Sequence, residues 1–491
     1  MTTHRTAPPL SFGCFGGDKM GVVQTISDFF GRLLNRRAKE LFGVKPVDTE
    51  ALTQYLDRCA RAYQGNPDWL DDDDEVVTIN FAQTVCAEVA RLATMNAEIA
   101  VTGSPRADWL QVQVNNILEV LRQWCEFGCA GGTVILKPYG NGTELVFSDR
   151  FRIVGTEAGK ITGVVFIDRR YDPAADRWFS RLEYHHIEDG VYTVSNRYFR
   201  GVSERDEGQQ VPMEVTPWVD DALADDAVME GADRLLFGIF RTPAANNKDP
   251  NSPMGLPIFS SALEELKDLD VAYSRNATEV VDSKRTVLLD SDRLFAAGKA
   301  LPPTGKAREA HIKESGLPKF VKAVEGSGSV EREVYHEINP SLNTEARLKG
   351  INALLSQIGF KCGFSNGYFV FNEKTGMVTA TQVESDDRRT LQLVNDVRKA
   401  LQSCLDDVIY SLNWFADAYG LAPRGEYETA YNFQDLTLNE EEDKARWWGY
   451  VLQGKVPFWY YLTKFEGYTE EEAKELEAMA QAKEPELAPE E

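Results

Sequence analysis

The clearest pattern of apolar and polar positions lies between Thr344 and Tyr419. Leu348, Ile351, Leu355 and Ile358 step by three and four, which marks one apolar face of a helix ending near Gly359. The next stretch, Lys361 to Met377, reads KCGFSNGYFVFNEKTGM, and its glycines, its Asn366-Gly367 pair and its Asn372 to Gly376 turn predict a loop or short hairpin. From Thr379 the helical period returns and runs to Tyr419. Leu391, Val394, Val397, Leu401, Leu405, Val408, Leu412, Phe415 and Tyr419 trace its face, with no Pro or Gly before the end. At 1.5 Å per residue such a helix is roughly 60 Å long, far beyond the usual 11 or 12 residues.

The rest of the chain reads as layers attached to that stretch. Residues up to about Asp18 predict a mobile arm. Val22 to Leu41 then forms an amphipathic pattern, with Phe29, Phe30, Leu33, Leu34 and Leu41 against Arg32, Arg36, Arg37 and Lys39. A membrane or calmodulin-type helix is one reading; packing on a neighbouring domain or subunit is the preferred one, because only one such segment exists. Helices are expected at Asn80 to Met95 and Ala107 to Phe127. The period then changes to two, predicting strands at Val134 to Leu136, Glu144 to Phe147, Ile161 to Ile167, Trp178 to His186, Val191 to Phe199 and Leu235 to Phe240. A Pro, Asn and Gly connector leads to a helix with Pro257 in its first turn and Phe259, Leu263, Leu266, Leu269, Tyr273, Ala277 and Val280 on its apolar face, ending near Ser283.

Short strands follow at Thr286 to Leu289, Phe320 to Val324 and Glu331 to Ile338, so a small β-rich insertion separates two helices. Asn343 is placed to cap the second, with Glu345 in its first turn. After the long helix come a strand at Glu428 to Phe433 and three short helices, Asn439 to Leu452, Pro457 to Phe465 and Thr469 to Ala482, the last opened by a Thr469 and Glu472 capping box. The final KEPELAPEE predicts a disordered acidic tail. The fold class this predicts is α+β.

Composition narrows the chemistry. With 491 residues and 43% apolar content the chain can build real cores. A net charge of -24 argues against an ordinary nucleic-acid clamp, so any contact with nucleic acid is expected to be weak or local. Seven scattered cysteines read as reduced cytosolic thiols. The N-terminus lacks a signal-peptide apolar region and no apolar run approaches the roughly 20 residues that span a bilayer, so no membrane association is expected.

Several pairings invite a chemical reading and lose it on inspection. The acidic run Asp71 to Glu75 lacks the alternating ligands and central glycine of a calcium loop. Gly131 and Gly132 precede a strand instead of opening a helix, which disfavours a phosphate cradle. His185 and His186 are adjacent on a strand and point to opposite faces, a poor metal pair. Cys125 and Cys129 share a helix face without a second ligand pair, so burial is the expected state. With five histidines and no nucleophile elbow, metal-ligand motif or phosphate loop, the sequence supports no catalytic residues, no metal and no cofactor.

The order of helix, β insertion, helix, loop and long helix resembles the portal proteins of tailed bacteriophages. The residues that carry the resemblance are SPMGLPIFSSALEELKDLDVAYS (Ser252 to Ser274), INALLSQIGFKCGFSNGYFVF (Ile351 to Phe371), VTATQVES (Val378 to Ser385) and the C-terminal VLQGKVPFWYYL and GYTEEEAKELEAM. It spans about Asn80 to Met479. The resemblance implies a ring, usually of twelve copies, at one capsid vertex of the virion, made in the host bacterial cytoplasm. It also implies double-stranded DNA passing through the channel, and as partners the terminase large subunit, a head-to-tail adaptor and the major capsid and scaffolding proteins.

By the same resemblance residues 1–46 are an arm and helix, 47–256 the wing, 257–283 and 343–361 the two stem helices, 284–342 the clip, 362–377 the tunnel loop, 378–434 a long helix that should kink, with its following strand, and 435–491 the crown and tail. The implied site is the tunnel loop, with Phe364, Ser365, Asn366, Gly367, Tyr368, Phe369, Phe371 and Lys374 facing DNA or a neighbouring subunit. Lys361 and Lys374 are the candidates for brief phosphate contacts, against the plainer reading of solvated lysines. For the aromatic residues, packing loop against loop around a ring is preferred over a local hairpin core. Two other readings stay open: a capsid or connector component without a DNA tunnel, and a cytosolic enzyme such as a hydrolase.

Overall fold

The structure is a computed structural model of the 491-residue chain. It describes residues 34–71, 75–139, 142–204, 206, 208–219, 224–282, 286–290, 321–324, 335–338, 343–370, 380–433 and 440–481. The expected N-terminal arm, most of the acidic run at 71–75, much of the insertion and the acidic tail lie outside the described residues. The fold is α+β, in two compact units, Met1–Asn432 and Phe433–Glu491.

In the first unit the helical segment 34–42 (α1) and α2 (Glu50–Tyr63) precede α3 (Phe81–Thr94), strand β1 (Glu98–Thr102) and α4 (Pro105–Gly131). Strands β2 (Thr133–Tyr139), β3 (Gly142–Val146) and β10 (Gly238–Arg241) form one antiparallel sheet in the order β10-β2-β3. A larger sheet runs β4-β5-β6-β7-β8 with β9 also paired to β7; its members are β4 (Phe151–Glu157), β5 (Lys160–Asp172), β6 (Arg177–Glu188), β7 (Val191–Gly201), β8 (Gln209–Val211) and β9 (Asp226–Val228). Side chains alternate along β5, so both faces bury apolar groups. On one face Val164 and Phe166 join Phe151, Ile153, Tyr192, Phe237 and Leu52 of α2. On the other, Val165 and Ile167 meet Leu34 and Ala38 of α1. The described part of the amphipathic N-terminal pattern, from Leu34 on, therefore packs on this chain's own sheet.

Helix α5 (Leu263–Asp282) and helix α6 (Thr344–Lys361) bracket a three-stranded sheet of order β12-β11-β13, made of β11 (Thr286–Asp290), β12 (Val321–Val324) and β13 (Tyr335–Ile338). Strands β11 and β12 are parallel, β11 and β13 antiparallel. Helix α7 (Ala380–Ala418) then runs unbroken for 39 residues, and β14 (Glu428–Asn432) pairs antiparallel with β1. Val394, Val397, Leu401, Leu405, Val408 and Leu412 of α7 are all buried, the face its periodicity predicts. The helix passes so close to β10 that a Cβ on Gly238 would collide with the carbonyl of Cys404.

Two helix ends are held by buried arginines. Arg398 of α7 donates to the carbonyls of Leu92 and Ala93, which close α3, both at 3.1 Å. Arg106, at the start of α4, serves the end of α7 and the turn after it.

The second unit has α8 (Glu440–Leu452), α9 (Phe458–Phe465) and α10 (Glu470–Gln481). Thr469 and Glu472 form the capping box: the Thr469 amide donates to Glu472 Oε2 at 3.1 Å and the Glu472 amide donates to Thr469 Oγ1 at 3.4 Å. Trp447 packs on Tyr460 and Trp448 on Tyr461, a partly exposed aromatic cluster, while Leu462 and Ala473 are buried.

Three local expectations are corrected. Helix α5 does not start at Pro257: the amide of Ile258 donates to the carbonyl of Cys129 at 3.0 Å, and a 3-10 turn over Ser260–Ala262 intervenes. A hydrogen bond to the end of α4 outweighs the helix preference of those residues. The strand expected at Leu235 to Phe240 is confined to Gly238–Arg241, because the Leu236 amide turns to the Tyr192 hydroxyl instead of a ladder partner. Asn343 occupies the position before α6, but its side chain makes no capping bond there.

Candidate functional site

The loop after α6 is built from residues that cannot continue a helix. Gly363 has φ +96, a region that favours glycine, and the amide of Phe364 donates back to the carbonyl of Gly359 at 2.9 Å. This turns the chain so that Phe364 is driven inward, with 0% of its surface exposed. Phe364, Tyr368 and Phe369 form a mutual aromatic cluster with ring centroids 4.8 to 4.9 Å apart, and Phe369 also meets Phe81 of α3 edge-on at 5.1 Å. Gly359 is the space for it, since a Cβ there would press on the Phe369 ring.

Polar ties fix the same segment. The Ser365 amide donates to Thr390 Oγ1 of α7 at 2.9 Å, and the two hydroxyls are 3.0 Å apart. Ser356 Oγ of α6 donates to Asn366 Oδ1 at 2.6 Å and accepts from the Gly367 amide at 3.2 Å. The Tyr368 hydroxyl donates to Glu88 of α3. Burial, with the Glu88 carboxylate beside it, pushes the Tyr368 phenol up to about 12, and hydrogen bonding from Arg91 keeps Glu88 below the usual carboxylate range despite partial burial.

The predicted site residues therefore divide. Ser365 and Phe364 are buried within the chain, Gly367 and Phe369 are half-buried, and Asn366 and Tyr368 are at the surface. The local-core reading describes what Phe364, Tyr368 and Phe369 do inside this chain. Phe371 and Lys374 lie outside the described residues. Lys361 is on the last turn of α6, where its ammonium pairs with Glu265 of α5 at 2.5 Å. Gln357 donates to the same Glu265 oxygen at 3.1 Å.

The periodicity does not announce Arg389. Its guanidinium donates to the carbonyl of Phe360 at 2.8 Å and sits 3.7 Å from the centroid of the Phe360 ring. Lys361, Arg389, Arg58 of α2 and Lys248 rim an open cleft of about 890 Å³ between α2, α5, the loop and α7.

The remaining pairings are structural. His185 and His186 part as expected: His185 is buried, while His186 stacks on Tyr184. His185 Nε2 bonds Glu183 Oε1 at 2.6 Å and its Nδ1 faces the Tyr192 hydroxyl at 2.5 Å. Lys137 and Arg181 reach Glu183 at 2.6 and 3.1 Å. Burial alone would raise Glu183, but the charges of Lys137 and Arg181 and the hydrogen bond from His185 outweigh it and hold the carboxylate ionised; burial shifts His185 below its ordinary value, toward the neutral form. Nε2–H then donates to Glu183 and Nδ1 accepts from Tyr192. Gly132, at φ +76, and Gly255 approach so closely that a Cβ on either would meet the other's carbonyl oxygen, which makes that pair a packing feature. Cys125 and Cys129 are buried thiols. Among the described residues no cluster of His, Cys, Asp and Glu is arranged to hold a metal ion, and no helix is long and apolar enough to cross a membrane.

No model of a known protein family matches the chain. Lysophospholipase NTE1 of Eremothecium gossypii is 30% identical over 107 residues, which is 21% of this chain, and the match spans 7% of that protein's length. A solved structure of the neck of an empty GTA particle, computed with C6 symmetry, is similar at a TM-score of 0.39 with 12% identity, over 86% of this chain and 93% of the other.

Proposed function

We propose that this chain is a portal subunit: a ring-forming structural protein at one vertex of a phage-type capsid, through which double-stranded DNA is packaged and ejected. The observation that carries the reading is the sequence of elements from α5 to α7. Two helices lie side by side, joined by the Gln357 and Lys361 contacts to Glu265 at one end and by Arg347 and the Asn343 amide to Glu279 at the other. They bracket a small sheet, and the second leads through a Gly-rich loop into a 39-residue helix.

In this reading 47–256 is the wing, α5 and α6 are the stem, 284–342 is the clip that receives the terminase motor and the head-to-tail adaptor, 362–377 is the tunnel loop and 435–491 the crown. Twelve copies are the expected number. The force for DNA movement comes from the motor, and the subunit itself does no chemistry. A ring of chains at -24 each repels phosphate over most of its surface, so DNA slides without being trapped. Because Glu265 already neutralises Lys361, Lys374 is the stronger of the two candidates for a passing phosphate.

Native mass spectrometry and negative-stain microscopy test the ring: a chain that stays monomeric under all assembly conditions overturns it. Since Phe364 and Ser365 are part of the core, the tunnel assignment is tested by deleting only 371–376. The expected result is normal rings that fail to package or retain DNA. Normal DNA-filled particles from that deletion refute the assignment.

A further inference from the structure

The cleft beside the loop has a composition unlike the rest of this acidic chain. Its wall is apolar, with Leu256, Ile258 and Leu393. Four cations stand at its rim, Arg58, Lys248, Lys361 and Arg389, against three carboxylates, Glu264, Glu265 and Asp396. Two of the cations are already used within the chain: Arg58 pairs with Asp68 at 2.7 Å and Glu264 at 3.0 Å, and Lys361 with Glu265 at 2.5 Å. The other two are held by aromatic rings. Lys248 Nζ sits 4.3 Å from the centroid of Tyr55, and Arg389 lies over Phe360. Among the described residues neither has a carboxylate partner, and both are exposed. A cation poised on a ring keeps its charge available to a further anion. The volume, about 890 Å³, suits a few residues of peptide and is too small for a duplex about 20 Å across.

We propose that this cleft receives an acidic, partly apolar peptide segment of a second copy of the chain, its carboxylates meeting Lys248 and Arg389 and its apolar side chains covering Ile258 and Leu393. The inference rests on the ring reading above, which sets copies side by side. The choice of occupant follows from charge: with 77 acidic against 53 basic residues, a neighbouring copy carries an excess of acid, and a local basic cleft is where two such copies attract instead of repel.

The test is assembly of the full chain, followed by mass photometry across a protein-concentration and salt series. The double reversal Lys248→Glu with Arg389→Glu is expected to raise the concentration needed for rings by about tenfold or more, while circular dichroism and the melting of its monomer stay as in the parent. The charge-preserving Lys248→Arg with Arg389→Lys should assemble like the parent. If the parent forms rings and the reversal forms them equally well with the same salt dependence, the cleft is not an interface and the inference falls while the ring reading stands. Rings of normal stability that lose DNA would assign the cleft to nucleic acid and overturn it as well. A parent chain that never forms rings overturns the ring reading and this inference together.

Discussion

Replacing Arg106 tests how the end of the long helix is held. Its side chain is 1% exposed and makes five hydrogen bonds at 2.6 to 2.9 Å: to the carbonyls of Asn413, Ala422 and Pro423, to Asn413 Oδ1 and to Asp417 Oδ1. The carbonyl of Asn413 belongs to the last turns of α7, and those of Ala422 and Pro423 to the turn that leads into β14. Arg106→Met keeps most of the apolar stem and removes every donor. Each acceptor left without a partner in a buried place costs about 1–3 kcal/mol, but Asp417 is 40% exposed and lies 3.7 Å from Arg424, so it recovers water and a second cation. The three carbonyls carry the loss, about 3–5 kcal/mol in all, in the range found when one member of a buried charged network is removed. Arg106→Lys should recover little, because one ammonium cannot serve five acceptors set around a planar fork. Urea unfolding of the full chain reads the total. Hydrogen exchange over 419–432 reads the place, since Arg106 holds the start of this segment, whose later part is tied by Ser104 Oγ donating to the Glu426 carbonyl at 2.7 Å and by the β1–β14 ladder. A loss under about 1 kcal/mol with unchanged exchange at 419–432 would refute the account.

The buried Glu183–His185 pair makes the sheet junction acid-sensitive. His185 is held below its ordinary 6.5 in the fold and Glu183 below its ordinary 4.5, so the unfolded chain takes up protons first. Stability from His185 is full above about pH 6.5 and falls as pH drops below it, and that from Glu183 falls further below about 4.5; pH-dependent denaturation should show a shallower slope between 6.5 and 5 for His185→Gln, and an unchanged slope would argue that His185 is not neutral in the fold. Gly132→Ala forces a Cβ into the Gly255 carbonyl at a positive φ, which should cost about 2–4 kcal/mol by thermal or urea unfolding; a neutral substitution would mean the two segments separate easily. Thr469→Ala removes one half of the capping box and should weaken α10 by about 0.5–2 kcal/mol, read as faster amide exchange at Glu470 to Glu472, with no change if solvent caps the helix equally well.

Periodicity carried the elements because it depends only on neighbours along the chain. The α7 face from Val394 to Leu412, the capping box at Thr469, the alternating strands β5 to β7 and the order of helix, insertion, helix, loop and long helix are all legible without any knowledge of what packs where. Helix α2 was legible too, with a clear amphipathic stripe behind a Thr49 N-cap, and went unread, whereas β1 escaped because five residues alternating beside a turn resemble many loops. The site was legible only in outline. The sequence marks 361–377 as a turn-rich aromatic loop, yet composition treats Lys361 and Lys374, or Phe364 and Tyr368, as equivalent.

Contacts across the fold separate them: Glu265, 96 positions away, claims Lys361, and the helix packing swallows Phe364 while leaving Tyr368 at the surface to reach Glu88. The same holds for Arg106, whose partners lie more than 300 positions along the chain. What the sequence determined by itself is the set of elements and their order, through local hydrophobic spacing. Which charges are neutralised, which rings are buried and where α5 begins were decided only when distant segments met, because burial and ion pairing are properties of a place in space that no window of neighbouring residues contains.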